Sequence, residues 1–112
     1  MKLDKKIFYI DIDGIIFEND SSRMDYYTVV PIEKNIRKIN KLYDEGHAII
    51  LWTARGGTTG IDWTTETKKQ LFMENVKYHK LLMNKPTFDV FIDDRAYNSF
   101  EEYEKSKERL GL

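Results

Sequence analysis

The sequence predicts an α/β fold: a mainly parallel sheet with helices on its faces, in a three-layer sandwich. Three observations carry that reading. The runs Ile7-Phe8-Tyr9-Ile10 and Ala48-Ile49-Ile50-Leu51-Trp52 are apolar throughout rather than alternating, as strands covered on both faces are. Helical patterns separate the apolar runs, and a strand-helix-strand order returns each new strand parallel to the last. Asp11 and Asp13, Thr53 and the pair Asp93-Asp94 each follow the end of an apolar run. In a parallel sheet those ends share one edge, where ligands bind in open α/β folds.

Ile7 to Ile10 is the first expected strand. Residues 14 to 30 are irregular. Ile15-Ile16-Phe17, the turn-rich Asn19-Asp20-Ser21-Ser22 and Tyr26-Tyr27-Thr28-Val29-Val30 together read as a short hairpin flap. Pro31 opens a helix, where its missing N–H costs little. Ile32, Ile36, Ile39, Leu42 and Tyr43 then recur at helical spacing until Gly46. Ala48 to Trp52 is the second strand, and the loop Arg55-Gly56-Gly57-Thr58-Thr59-Gly60 follows it. A helix from about Asp62 to Asn75 places Trp63, Leu71 and Phe72 toward the core. Val76 to Met83 holds a third short strand and Phe88 to Ile92 a fourth. Ser99-Phe100-Glu101-Glu102 has the capping-box spacing for a last helix ending near Gly111.

A length of 112 residues gives one domain, spanning 1–112, with room for a real core. The 18 basic and 19 acidic residues leave a formal net charge of −1, so nothing electrostatic favours nucleic acid or an anionic membrane. There is no cysteine, which excludes disulfides and thiolate metal sites. Met1-Lys2-Leu3-Asp4-Lys5-Lys6 leads straight into the first strand, and no apolar run approaches membrane-spanning length. The expected location is the cytoplasm.

Two carboxylates two residues apart at a strand end repel and lose hydration unless a cation lies near them. With Asp93-Asp94 at the same edge, the pattern points to one divalent cation. Hard oxygen donors and retained waters suit Mg²⁺. The same residues suit hydrolysis of a phosphate monoester, which needs a nucleophile, a proton donor and cations around the phosphoryl group. Asp11 can attack phosphorus and form an aspartyl-phosphate. Asp13 can protonate the leaving oxygen and then deprotonate the hydrolytic water. Mg²⁺ can be held by Asp93 with Asp11 and a main-chain carbonyl; Asp13 belongs to the same candidate metal set, and Asp94 is a further ligand or an orienting neighbour. The Thr53 hydroxyl and Lys85 can meet phosphoryl oxygens. Ala54 and Arg55 border the same position, and Arg55 is either an anion contact or a solvated loop residue. His47 and His79 read as structural groups.

The order and type of these residues resemble the haloacid dehalogenase superfamily of phosphatases. Asp11-Ile12-Asp13-Gly14 matches its first motif, Thr53 its second, Lys85 its third and Asp93-Asp94 its fourth, across residues 7 to 97 or so. The resemblance implies a Rossmann-like core, a Mg²⁺ cofactor, Asp11 as nucleophile and Asp13 as acid and base. Leu51-Trp52-Thr53-Ala54-Arg55-Gly56 and Lys85-Pro86-Thr87-Phe88 through Asp93-Asp94-Arg95-Ala96 are similar to a narrower group, small phosphatase-like proteins encoded among capsule or surface-polysaccharide genes. That implies a phosphorylated sugar, polyol or nucleotide-sugar substrate. Ile15 departs from the Thr or Val usual after the glycine. Neither residues 14–30 nor 54–75 are long enough for the family's cap domain. An uncapped site implies a large substrate, or a lid supplied by a neighbouring subunit of a homo-oligomer. A contrasting expectation is a non-enzymatic domain that binds phosphorylated ligands or carries an aspartyl-phosphate signal. Receiver domains use similar residues, but with the acidic pair first in the chain and the phosphorylated Asp on a middle strand.

Overall fold

Ile7–Ile10, Ala48–Trp52 and Lys80–Leu82 form β1, β2 and β3 of one parallel sheet in the order β1-β2-β3. The computed structural model describes residues 4–19 and 26–109. Phe8 pairs with Ile49, Ile10 with Leu51, and Leu51 with Leu81. Paired residues of parallel strands share a face, so these side chains make one apolar layer. Ile49 and Leu51 are fully buried in it.

Three helices cover that layer: α1 (Glu33–Asp44), α2 (Thr64–Met73) and α3 (Phe100–Arg109). Ile36 and Ile39 of α1 and Leu71 of α2 join Ile10, Ile49 and Leu51 in one core cluster, with Phe100 of α3 packed against it. Beyond α1, Gly46 N–H donates to Tyr43 O at 3.0 Å and His47 N–H to Leu42 O at 3.1 Å, which turns the chain into β2. The cap expected at Ser99 forms: its Oγ accepts the Glu102 N–H at 3.1 Å, and the Glu102 carboxylate reaches back to Asn98 N–H. Lys34 and Lys38 on α1 pair with Glu101 and Glu104 on α3, setting those helices side by side.

The architecture is therefore α/β with a three-stranded parallel sheet, and it departs from expectation in three places. No strand forms at Phe88–Ile92; Val90 is 73% and Ile92 91% exposed. The edge of β1 opposite β2 consequently has no strand partner among the described residues. Among the described residues no third layer covers the sheet, whose far face carries the largely exposed Ile7 and Tyr9. The cause is topological. Both crossovers step the sheet in the same direction, and right-handed crossovers then put both helices on one face. A second helical layer needs a strand on the far side of β1, where the chain reverses. Third, Phe72 is 82% exposed, although Trp63 and Leu71 are buried as expected.

The flap forms at its base. Glu18 N–H donates to Val30 O at 2.8 Å and Ile32 N–H to Ile16 O at 2.7 Å, around an antiparallel bridge between Phe17 and Pro31. The expected turn at Asp20-Ser21-Ser22 lies outside the described residues.

Candidate active site

The chain leaves β1 through Asp11-Ile12-Asp13-Gly14. Ile12 is fully buried in the core, which fixes the backbone between two carboxylates that stay partly exposed. Ile12 O accepts N–H groups from Ile15, Ile16 and Phe17 at 3.2, 2.8 and 3.2 Å, which folds the chain back at once. Gly14 sits at φ +95°, a conformation that L side chains rarely adopt, so the tight return requires glycine there. Ile15, at the departure noted above, is half-buried against the core.

Thr53, one residue past β2, and Lys85, beyond β3, come to the same edge. Lys85 N–H donates to Thr53 O at 3.1 Å. The Lys85 ammonium lies 3.3 Å from Asp11 Oδ2 and over the Trp52 and Phe88 rings, at 5.8 and 5.7 Å from their centroids. The other Asp11 oxygen accepts the Ile12 N–H at 2.8 Å. Asp11 remains 38% exposed, within reach of a ligand. Thr53 is buried and its Oγ1 accepts the Arg55 N–H at 3.1 Å, which leaves the hydroxyl proton to donate. Ala54 lies in the adjoining turn, where its carbonyl accepts the Gly57 N–H at 2.9 Å.

Arg55 is not the solvated loop residue that one of the two readings expects. It is neither solvated nor turned outward, and its side chain has no exposed surface. Nε donates to Asp13 Oδ2 at 2.9 Å and Nη2 to Asp13 Oδ1 at 2.8 Å, a bidentate fork. Nη1 donates to Thr67 Oγ1 at 3.1 Å and Gln70 Oε1 at 2.7 Å on α2. The Gln70 amide in turn donates to Tyr26 O, and the guanidinium lies 4.6 Å from the Tyr26 ring centre. Tyr26 and Tyr27 both meet Trp63 edge to face. Gly56 holds this loop tight: at φ +82°, a Cβ there would fall 2.0 Å from Ile61 O.

Thr67 and Gln70 are not among the residues that the sequence singles out, and Tyr26 is expected there only as part of the flap. A signal existed for the first two. Thr64-Thr65-Glu66-Thr67-Lys68-Lys69-Gln70 offers no apolar residue to the buried face of α2, so polar side chains must fill it and find partners there.

Asp93 and Asp94 do not join Asp11 and Asp13. The Asp93 carboxylate accepts the Arg95 N–H at 2.7 Å in a local turn, and the segment around it is exposed. Among the described residues, no three acidic or histidine side chains stand close enough to share a metal ion. The gathered site is instead balanced by the chain itself: Lys85 faces Asp11 and Arg55 faces Asp13. The histidines serve the sheet, as expected. His47 Nδ1 accepts the Lys6 N–H and His79 Nδ1 the Ile49 N–H, each at 3.0 Å. Among the described residues, no helix is long and apolar enough to cross a membrane.

No family model matches the chain, and no curated protein matches it. Among solved structures it is similar to the crystal structure of a structural-genomics target from Vibrio cholerae. The two are 25% identical; the match covers 96% of this chain and 99% of that one, with a TM-score of 0.74. That likeness carries the α/β fold over nearly the whole length.

Proposed function

We propose that this chain is a phosphatase of the haloacid dehalogenase type, hydrolysing a phosphate monoester through an aspartyl-phosphate on Asp11. The observation that carries the reading is the accessible Asp11 carboxylate with a lysine ammonium 3.3 Å away and a second, clamped carboxylate two residues on. An Asp11 oxygen attacks phosphorus and the bond to the leaving oxygen breaks. Asp13, protonated at that stage, gives its proton to the departing alkoxide. Asp13 then takes a proton from water as that water attacks phosphorus, which releases inorganic phosphate and restores the Asp11 carboxylate. Lys85 offsets charge on the phosphoryl oxygens, and the Thr53 hydroxyl donates to one of them.

Mg²⁺ does not fit the described side chains as they stand, since two carboxylates already engaged by Lys85 and Arg55 make a poor cage for it. The ion belongs to the reading through Asp93 and Asp94. Those residues reach Asp11 only if Phe88–Ile92 takes the free edge of β1 as a fourth parallel strand, which would also complete the Rossmann-like sheet. Substrates of the phosphorylated sugar, polyol or nucleotide-sugar class follow from the resemblance of residues 51–56 and 85–96 to the polysaccharide-linked group.

The test is steady-state release of phosphate from a small aryl phosphate, by the wild type and by Asp11→Asn, in Mg²⁺ and in excess EDTA. The expected result is turnover by the wild type in Mg²⁺ and none by Asp11→Asn. Equal turnover by the two proteins would defeat the nucleophile. The detached acidic pair favours one second reading, a domain that binds phosphorylated ligands without turning them over. Saturable binding of a phosphate ester with no phosphate release would establish that reading instead.

A further inference from the structure

We infer that Arg55 is a positioning residue: it holds the Asp13 carboxylate in one orientation and ties it to the Tyr26 end of the flap, and it does not bind substrate. The inference rests on the proposed role of Asp13 as acid and base.

Arg55 has five N–H donors. Four donate within the protein: two to Asp13, one to Thr67 and one to Gln70. With no exposed side-chain surface, the guanidinium cannot meet a phosphate unless it or the residues over it move. Leaving would strand a carboxylate that is only 23% exposed, and an unpaired carboxylate at such a place is costly.

The geometry fits positioning. A bidentate fork occupies one lone pair on each carboxylate oxygen and fixes the plane of the group. Each Asp13 oxygen keeps a second lone pair for a proton, on the part of the side chain still open to solvent. A general acid must stand within hydrogen-bond reach of the leaving oxygen, and small misplacements cost much of its effect. Arg55 is itself fixed from behind by two residues one helical turn apart on α2. The Gln70 side chain accepts from Arg55 with its oxygen and donates to Tyr26 O with its nitrogen. An unbroken chain of hydrogen bonds thus runs Asp13–Arg55–Gln70–Tyr26. Packing of the Tyr26 ring on the guanidinium and on Trp63 reinforces its far end. Displacing the flap at Tyr26 therefore displaces the support of Asp13.

The experiment compares wild type, Arg55→Lys and Gln70→Ala on two aryl phosphates, one with a good and one with a poor leaving group. Inorganic phosphate serves as the competitive probe. General acid catalysis is worth about 10²–10⁴-fold, so misplacing the acid should lower kcat for the poor leaving group by roughly 10–100-fold in Arg55→Lys. The good leaving group, which needs less protonation, should lose under about threefold, with phosphate inhibition unchanged within about twofold. Gln70→Ala should move kcat in the same pattern, by less. A tenfold weaker inhibition by phosphate, with equal losses on both esters, would make Arg55 a substrate contact and overturn the inference. So would a lowered Tm with the kcat ratio of the two esters unchanged, which is what a mere brace would give.

Failure of the underlying reading is separable. If the wild type turns over neither ester, or Asp13→Asn leaves the ratio unchanged, the acid role of Asp13 fails. The clamp is then judged without activity, by the NMR signal of the Arg55 Nε–H, assigned by its loss in Arg55→Lys. A slowly exchanging signal that becomes fast in Asp13→Asn supports the clamp. Fast exchange in the wild type overturns it.

Discussion

Ile92→Lys separates the two positions that the Phe88–Ile92 segment can take. Ile92 is 91% exposed, so in this arrangement the substitution should leave stability within about 0.5 kcal/mol of wild type, as surface changes usually do. If the segment instead pairs with β1 when metal is present, Ile92 is buried. Full burial of an isoleucine is worth about 1.5–3 kcal/mol, and nine-tenths of the side chain is still available to gain it. The variant would then lose about 1.5–2.5 kcal/mol of docking energy, or roughly 10–100-fold in the Mg²⁺ concentration giving half-maximal activity. The assay pairs a urea melt without metal with an Mg²⁺ titration of phosphate release. A wild-type Mg²⁺ midpoint in Ile92→Lys would refute docking and remove Asp93 from the ligand set.

Four further outcomes are expected. Lys85→Ala should weaken competitive inhibition by inorganic phosphate and lower kcat while sparing Mg²⁺ affinity; loss of metal binding with phosphate affinity intact would reverse the roles. Ile12→Ala empties a fully buried site and should cost about 2–5 kcal/mol in denaturant unfolding; a cost under about 1 kcal/mol would mean that Ile12 does not anchor the two carboxylates. At the α1–α3 contact, the backbone N–H of Glu101 and then Lys34 hold its carboxyl below the ordinary 4.5, while Glu104 above all holds the Lys38 ammonium above 10.5. The Glu101 contribution is lost as pH falls below that range and the Lys38 contribution as pH rises above its own. Protection of the α3 amides, taken as exchange corrected for the intrinsic rate at each pH, should therefore be greatest between them and smaller at acid pH or high salt, and a flat protection profile would count against it. The uncovered edge predicts either a homo-oligomer by solution mass or a kcat/KM that rises with substrate size; a monomer preferring the smallest esters would contradict both.

The parts of the fold that were legible are those whose signal is local. β1, β2 and α1 follow from apolar runs and helical spacing, and α3 from the Ser99 cap. The fourth strand was not legible in the same way. Val90-Phe91-Ile92 has strand composition, yet a strand exists only with a partner, and the partner edge lies some 80 residues earlier in the chain. The missing third layer follows from that one difference, because among the described residues nothing extends the sheet past β1. Phe72 misled for another reason. α2 has so few apolar residues that its largest one reads as core, whereas Thr67 and Gln70 take the buried face, where their oxygens accept from Arg55. Pairings of Asp13 with Arg55 and of Arg55 with Gln70 span 42 and 15 residues and carry no spacing rule.

The charge argument for the site also changes once the cations are placed. Adjacent carboxylates at a strand end imply a counter-charge, and the sequence reading assigned it to a divalent ion. Here the loop after β2 and the segment after β3 supply it, as one arginine for Asp13 and one lysine for Asp11. Two carboxylates against two cations leave no electrostatic deficit for a metal to fill. Asp93 and Asp94 alter that balance, because bringing both to the edge adds two negative charges, the amount a divalent ion neutralises. Under the proposed function, metal and acidic pair would favour each other's arrival, and neither would be favoured alone. Saturating Mg²⁺ should order residues 88–94 in wild type, while Asp93→Asn should bind the ion more weakly and leave the segment exchanging freely at any Mg²⁺ concentration. If Mg²⁺ bound equally well to both proteins with the segment still exposed, the ion would have to sit on Asp11 alone, in competition with Lys85, and this coupling would be wrong.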